Sequence, residues 1–243
     1  MSFIGLLYIL NNDHNLTSFM PSRIGQFIYK TGYKVLKPKG RYHFLDSIVG
    51  RGKILDVGCG NNSPYLVKTA RPDLYYVGID VGIYNQTTDY ARYADRFIIT
   101  EPGQFAQKIA ELPEAFDAVM SVHNLEHCNN YIDVTLAMIK VLKPGGVLYL
   151  VFPCEASVNF PSRHGTLNFY DDATHRNLIP YHSFLSLLEA NNLDIIFATQ
   201  RYRPWLLFLL GLIIEPISFL SHRVMRGVWA LYGFETIIIA RKK

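Results

Sequence analysis

Short apolar runs alternate with amphipathic stretches from Arg51 onward, and that alternation carries the first reading of the chain. Strands are predicted at Lys53–Val57, Tyr75–Asp80, Arg96–Thr100, Phe116–Val122 and Gly146–Phe152. Each is an apolar run of the kind that lies buried on both faces of a parallel sheet. Helices are predicted between them at Pro64–Arg71, Gly103–Glu111 and Tyr131–Leu142. The last should stop at Lys143-Pro144-Gly145-Gly146, because proline cannot continue a helix and glycine supplies the turn. Cys154–Pro180 reads as a long polar loop, Tyr181–Asn192 as a helix, and Asp194–Arg201 and Glu235–Arg241 as two closing strands. Strands alternating with helices predict a doubly wound, Rossmann-like α/β sheet of about seven strands. Residues 1–50 read as an N-terminal helical cap with a turn at Lys37-Pro38-Lys39-Gly40, and residues 51–243 as the main domain.

Two stretches break the pattern. Trp205–Leu220 is apolar and lies where a short connection between the closing strands belongs. Glu215 and Pro216 interrupt it well short of the roughly 20 apolar residues that a bilayer-spanning helix needs. Arg201, Arg203, Arg223 and Arg226 flank it, with Trp205 and Trp229 at its edges. Basic and aromatic flanks suit a helix lying in a membrane interface. The competing expectation is an apolar insertion (203–229) packed on the sheet or on a homodimer partner. The apolar start, Ser2 to Leu10, lacks a basic region and a cleavage site, and is expected to be a packing or interfacial helix rather than a signal peptide.

Composition narrows the classes. Apolar residues make up 49% and charged residues 18%, which excludes wholesale disorder. Lys and Arg exceed Asp and Glu by 24 − 20 = 4, too little to imply a nucleic-acid partner. Cys59, Cys128 and Cys154 have no framework spacing, which fits a reducing, cytoplasmic location, with docking on the inner face of a membrane left open.

Ile54-Leu55-Asp56-Val57-Gly58-Cys59-Gly60-Asn61-Asn62 is a strand that runs into a glycine turn. Gly58 and Gly60 permit tight backbone and close ligand approach. Asp80 ends the next strand, where a carboxylate can accept both hydroxyls of a ribose, so the residues call for an adenosine-type cofactor. A dinucleotide fingerprint would add a third glycine, and Asn61-Asn62-Ser63-Pro64 stands in its place.

Asp-x-Gly-x-Gly at a strand end resembles motif I of class I S-adenosylmethionine-dependent methyltransferases. Gly78-Ile79-Asp80, Phe116-Asp117-Ala118-Val119-Met120-Ser121 and Leu142-Lys143-Pro144-Gly145-Gly146 follow in that superfamily's order. The resemblance covers Lys53–Pro153 and implies a sheet completed by a C-terminal antiparallel hairpin. It implies S-adenosyl-L-methionine as cofactor: Gly58 and Gly60 at the methionine half, Asp56 orienting the turn, Asp80 on the ribose and Val81 beside the adenine. Thr100 at the third strand's end and Ser121 at the fourth complete the implied set.

His123-Asn124-Leu125-Glu126-His127 follows the fourth strand, where the superfamily places substrate and catalytic groups. An activated sulfonium needs mainly alignment, but a hydroxyl acceptor also needs a base. Histidine suits that task, with His127 first, His123 second and Glu126 beside them. Glu126 and His127 can equally cap the next helix. The run also spells H-x-x-E-H, an inverted zinc-protease motif, but it sits at a strand end rather than on a helix. Small-RNA 2′-O-methyltransferases resemble this region, with Glu-x-x-Glu-His and a later histidine around a divalent ion. His123 replaces the first glutamate here, so no metal ligands are assigned, although His164 or His175 would complete such a site. The polar loop Ser162–Asn177 is expected to close over the acceptor (acceptor loop 154–180), with Asp172, His175 and Arg176 reaching its polar groups.

The function expected from this set is O-methylation of a hydroxyl on a glycan, a lipid-linked intermediate or a small lipophilic molecule. The alternatives are a non-catalytic binding or scaffold protein at a membrane, and a metal-assisted RNA methyltransferase.

Overall fold

A computed structural model describes residues 31–113 and 115–243. The apolar start of the chain lies outside the described residues. The elements in chain order are α1 (Arg41–Asp46), β1 (Lys53–Val57), α2 (Ser63–Ala70), β2 (Tyr75–Asp80), β3 (Arg96–Ile99), α3 (Phe105–Ala110) and β4 (Phe116–Val122). Then come α4 (Tyr131–Val141), β5 (Leu142–Pro153), α5 (Tyr181–Ala190), β6 (Leu193–Thr199), α6 (Trp205–Leu220), α7 (Val228–Tyr232) and β7 (Glu235–Lys242).

The strands form one sheet in the order β3-β2-β1-β4-β5-β7-β6. β1 to β5 pair in parallel, and β7 inserts antiparallel between β5 and β6. This is the doubly wound sheet with a closing antiparallel hairpin that the sequence predicts. The order reverses between β1 and β4, which opens a crevice at their carboxyl ends.

Each face of the sheet has its own core. On one, Phe105, Ile109, Met138, Phe184 and Leu188 from α3, α4 and α5 pack on Leu55, Val77, Val119 and Leu148. On the other, Phe44 and Leu45 of α1 and Val67 of α2 pack on Ile54, Tyr76, Met120 and Tyr149. Phe44 stacks on Tyr149 with ring centroids 4.9 Å apart. The α1 segment of the expected cap is therefore part of the domain's own core.

One local expectation needs correction. Lys143–Gly146 is not a free turn after α4. It belongs to β5, because Leu142 pairs with Phe116, the register slips before Ala118, and Gly145 absorbs the irregularity at φ 77°. α6 keeps the bounds Trp205–Leu220 of the apolar segment read in the sequence, with Glu215 and Pro216 inside it. Glu215 turns inward, where Arg163 grips it with two bonds of 2.5 and 2.8 Å and Tyr232 donates to it at 2.7 Å. The charge that interrupts the apolar run is thus matched beneath the helix.

α6 and α7 form a tight pair. A Cβ on Gly211 would collide with the Gly227 carbonyl, and Gly227 itself sits at φ 91°. The pair underlies the polar loop: Trp229 donates to Thr166 O at 2.8 Å, and the buried Arg163 guanidinium stacks over Phe219 and Tyr232. The opposite side of α6 carries Trp205, Leu209, Leu212, Ile213, Ile217 and Leu220, all exposed. No helix among the described residues is long and apolar enough to cross a membrane.

Candidate functional site

The first half of the site is built from strand ends. Asp56, fully buried on β1, accepts from Ser63 Oγ at 2.5 Å and Tyr76 Oη at 2.6 Å. It fastens the start of α2 under the glycine turn and does not face the crevice. Burial pushes its carboxyl up to about 6, against the pull of Arg41 and those two donors. Gly58 has φ 77°, and a Cβ there would fall inside the Asn124 amide. The turn after β4 therefore lies directly over the glycine turn. Ser121 Oγ donates to Val57 O at 3.0 Å, which ties β4 to β1 but occupies its hydroxyl.

Asp80 is the polar centre of this half. It is 6% exposed and receives the Val81 amide at 2.7 Å. Burial raises its carboxyl above the usual range, while the Val81, Gly82 and Gly60 amides pull it back. Among the described residues no cation pairs with it. A buried carboxylate fed only by backbone amides keeps lone pairs for hydroxyl donors. A Cβ on Gly60 would stand 3.8 Å from Asp80 Oδ2, so the glycine keeps that approach clear. The Thr100 amide donates to Asp80 O at 3.0 Å, which sets the β3 end beside it. These features fit the ribose and adenine of S-adenosylmethionine.

The second half joins segments far apart in sequence. Glu126 O receives the amides of Arg176 at 2.8 Å and Asn177 at 3.0 Å, and Asn177 Nδ2 donates to Cys128 O at 2.6 Å. These bonds dock the polar loop onto the turn after β4, and Arg176 caps them with a bond to Asn129 at 2.9 Å. A carboxylate oxygen of Glu126 and a ring nitrogen each of His127 and His175 then lie within 4.8 Å of one another. The His127 and His175 rings are 4.7 Å apart, and His175 also packs on Phe169 at 4.7 Å. Asp172 reaches the cluster indirectly, by accepting from Thr174 Oγ1 at 2.6 Å, while that hydroxyl lies 2.9 Å from His127 Nδ1. Burial lowers His175 below the usual imidazole range. His164 is exposed and stands apart, its amide bonded to His222 O.

His123 faces the other way. Its Nδ1 lies 3.3 Å from Glu126 and its Nε2 3.2 Å from Glu235, which in turn pairs with Lys37 at 2.6 Å. Burial works against its charge, but the two carboxylates outweigh burial and raise it to about 9. Its backbone sits at φ 52°, a strained value held by this surrounding network. Lys37 and Glu235 were not legible as site residues, because their partners lie on other elements and no motif marks the pairing. Arg163 and Thr174 were inside the quoted loop, but nothing local singled them out.

A model of a methyltransferase domain matches residues 29–197. The chain is 36% identical over 99 residues to a sterol 24-C-methyltransferase of Candida albicans, covering 39% of this chain and 26% of that protein. It is 31% identical over 113 residues to a ubiquinone biosynthesis O-methyltransferase of Pseudomonas fluorescens, covering 45% of this chain and 48% of that protein. The chain thus spans half or less of the curated relatives it matches. Among solved structures it resembles an S-adenosylmethionine-dependent methyltransferase from Archaeoglobus fulgidus, with TM-score 0.53 and 17% identity over 99% of this chain and 100% of that one. It also resembles one from Mesorhizobium loti, with TM-score 0.56 and 14% identity over 83% and 95%.

Proposed function

The chain belongs to the methyltransferase-domain family, and from that premise we propose that it is an S-adenosylmethionine-dependent methyltransferase acting on a hydroxyl of a glycan, a lipid-linked intermediate or a small lipophilic molecule. The convergence of His127, His175 and Glu126 at the turn whose Asn124 lies over Gly58 carries this reading.

The bound cofactor supplies a methyl group on a sulfonium, already activated for displacement. Asp80 would accept the ribose hydroxyls, Gly58 and Gly60 would admit the methionine half, and Val81 and Thr100 would flank the adenine. What remains for the chain is to orient the acceptor and take its proton. His127 suits that role better than His123. Thr174 gives its single proton to Asp172, so its oxygen accepts from His127 Nδ1–H, which leaves Nε2 with a free lone pair. His123, charged and clamped between two carboxylates, acts as a positioning group for Glu126.

The loop at 154–180 is read as the acceptor loop and the insertion at 203–229 as its apolar support. The exposed apolar side of α6, with Arg201, Arg203 and Arg223 exposed around it, supports contact with a bilayer surface and a lipophilic acceptor. Of the two relatives named above, both names point to a lipophilic class, and that of the Pseudomonas fluorescens enzyme is of transfer to oxygen, that of the Candida albicans enzyme of transfer to carbon.

Calorimetric titration with S-adenosylmethionine, alongside Asp80→Ala, tests the cofactor half. Turnover of labelled methyl into hydroxylated glycans and lipids offered in liposomes tests the acceptor half. Binding without turnover of any hydroxyl acceptor would leave a binding protein in place of the enzyme proposed. Co-flotation with liposomes, compared between the wild-type chain and Leu209→Glu/Ile213→Glu, tests the membrane contact, which fails if neither form floats.

A further inference from the structure

The Glu126–His127–His175 cluster has more order than acceptor contact alone requires. His175 Nδ1 lies 2.6 Å from the Phe169 carbonyl, which can only accept, so Nδ1 carries the proton. The Asp172–Thr174 chain imposes the same tautomer on His127. Both imidazoles therefore hold a lone pair on Nε2. Glu126 is 1% exposed, and its Oε2 has no hydrogen-bond partner among the described residues. His123 serves the other carboxylate oxygen, Oε1, at 3.3 Å. An unpaired buried carboxylate oxygen is costly, and Oε2 with two Nε2 lone pairs and no donor between them calls for a positive centre. Outer hydrogen bonds that fix the ring orientation of two histidines are the usual support of metal ligands.

We propose that Glu126, His127 and His175 bind one divalent first-row transition cation, of the zinc, cobalt or manganese type. Two imidazoles and a carboxylate are the donor set such ions take, with positions left open for an outside ligand. Ligand bonds of about 2.0–2.2 Å would need donor atoms roughly 3–3.5 Å apart, so the three groups close by an ångström or so from their present spread. The site deepens the methyltransferase reading, on which its role rests: a cation there would take the Nε2 lone pair of His127 and, in place of that base, would itself bind and acidify the acceptor's hydroxyl.

The test is metal binding itself. Untagged protein stripped with chelator is titrated with Co²⁺ by visible absorption, and with Mn²⁺ by electron paramagnetic resonance. One equivalent should bind, and His175→Ala and Glu126→Gln should each lose it. Thr174→Val, which leaves all three ligands in place, should weaken binding about tenfold. His164→Ala, outside the cluster, should bind as the parent does. Circular dichroism and S-adenosylmethionine calorimetry on every variant report folding and the cofactor site separately. Folded protein that binds neither ion at millimolar concentration, or binding unchanged in His175→Ala and Glu126→Gln, overturns the site. Metal binding with the expected losses in a chain that binds no S-adenosylmethionine upholds the site and removes the methyltransferase role built on it.

Discussion

The cofactor end and the acceptor end of the crevice are made by different means. At the cofactor end, β1, β2 and β3 finish side by side, and the groups that matter are their last residues and the backbone amides just beyond them. At the acceptor end, the turn after β4 holds a loop that starts 25 residues or more downstream, and α6 and α7 brace that loop from beneath. One end is rigid because a parallel sheet is rigid. The other owes its shape to a handful of polar bonds between distant segments. Strain, charge and packing should therefore respond differently at the two ends.

The largest contrast is expected at glycines with positive φ. Gly58→Ala combines left-handed strain with collision against Asn124, together about 3–4 kcal/mol of lost stability. Gly165→Ala, in the acceptor loop at φ 94° with its nearest neighbour at 3.4 Å, should cost only the strain, about 1–2 kcal/mol. Equal losses in thermal unfolding of the two variants would erase the distinction.

Asp80→Ala should weaken S-adenosylmethionine about 100-fold, as expected for two lost bonds to a charged acceptor, without weakening the fold. Calorimetry on a variant with native unfolding temperature checks both halves of that statement. Arg163→Met should do the reverse. It strips Glu215 of its partner, and because Glu215 is partly exposed the loss should be about 2 kcal/mol rather than that of a fully buried pair. Cofactor affinity should be unchanged while acceptor turnover falls.

The most gradual effect is a pH gradient. Burial opposes the charge on Glu235, but Lys37 and His123 overcome it and hold the carboxyl at about 2, below its ordinary 4.5. The stabilisation is therefore complete above pH 4.5 and lost as pH falls toward 2. Its slope is at most about 1.4 kcal/mol per pH unit. Glu235→Gln should flatten denaturant-monitored stability across that window, and an unchanged slope would show that the ion pair contributes nothing.

The same contrast explains what could be read in the sequence. β1, β2 and β4 match their predicted bounds to the residue, because each is a buried apolar run that ends at a turn. Asp80 and the glycines were legible because their role depends on near neighbours. The histidine run and the loop were each marked, with His164 or His175 as the residue that would join them; the choice of His175 depends on Glu126 O receiving two amides some 50 residues away. β5 was cut short since proline and two glycines look like a turn, and only pairing with β4 makes them part of a strand. The apolar segment Trp205–Leu220 was legible with its bounds, but the pairing of Glu215 was not, because no local feature points to Arg163, 52 residues earlier.

That pairing has an electrical consequence. Between Gln200 and Phe234, Glu215 is the one acidic residue, while Arg201, Arg203, Arg223 and Arg226 are all basic. With Glu215 matched to Arg163, the exposed Arg201, Arg203 and Arg223 leave the surroundings of α6 net positive. A negatively charged surface is therefore attracted to this side of the molecule over a neutral one. The attraction fades with added salt, as the Debye length shrinks from about 10 Å at 0.1 M to about 3 Å at 1 M.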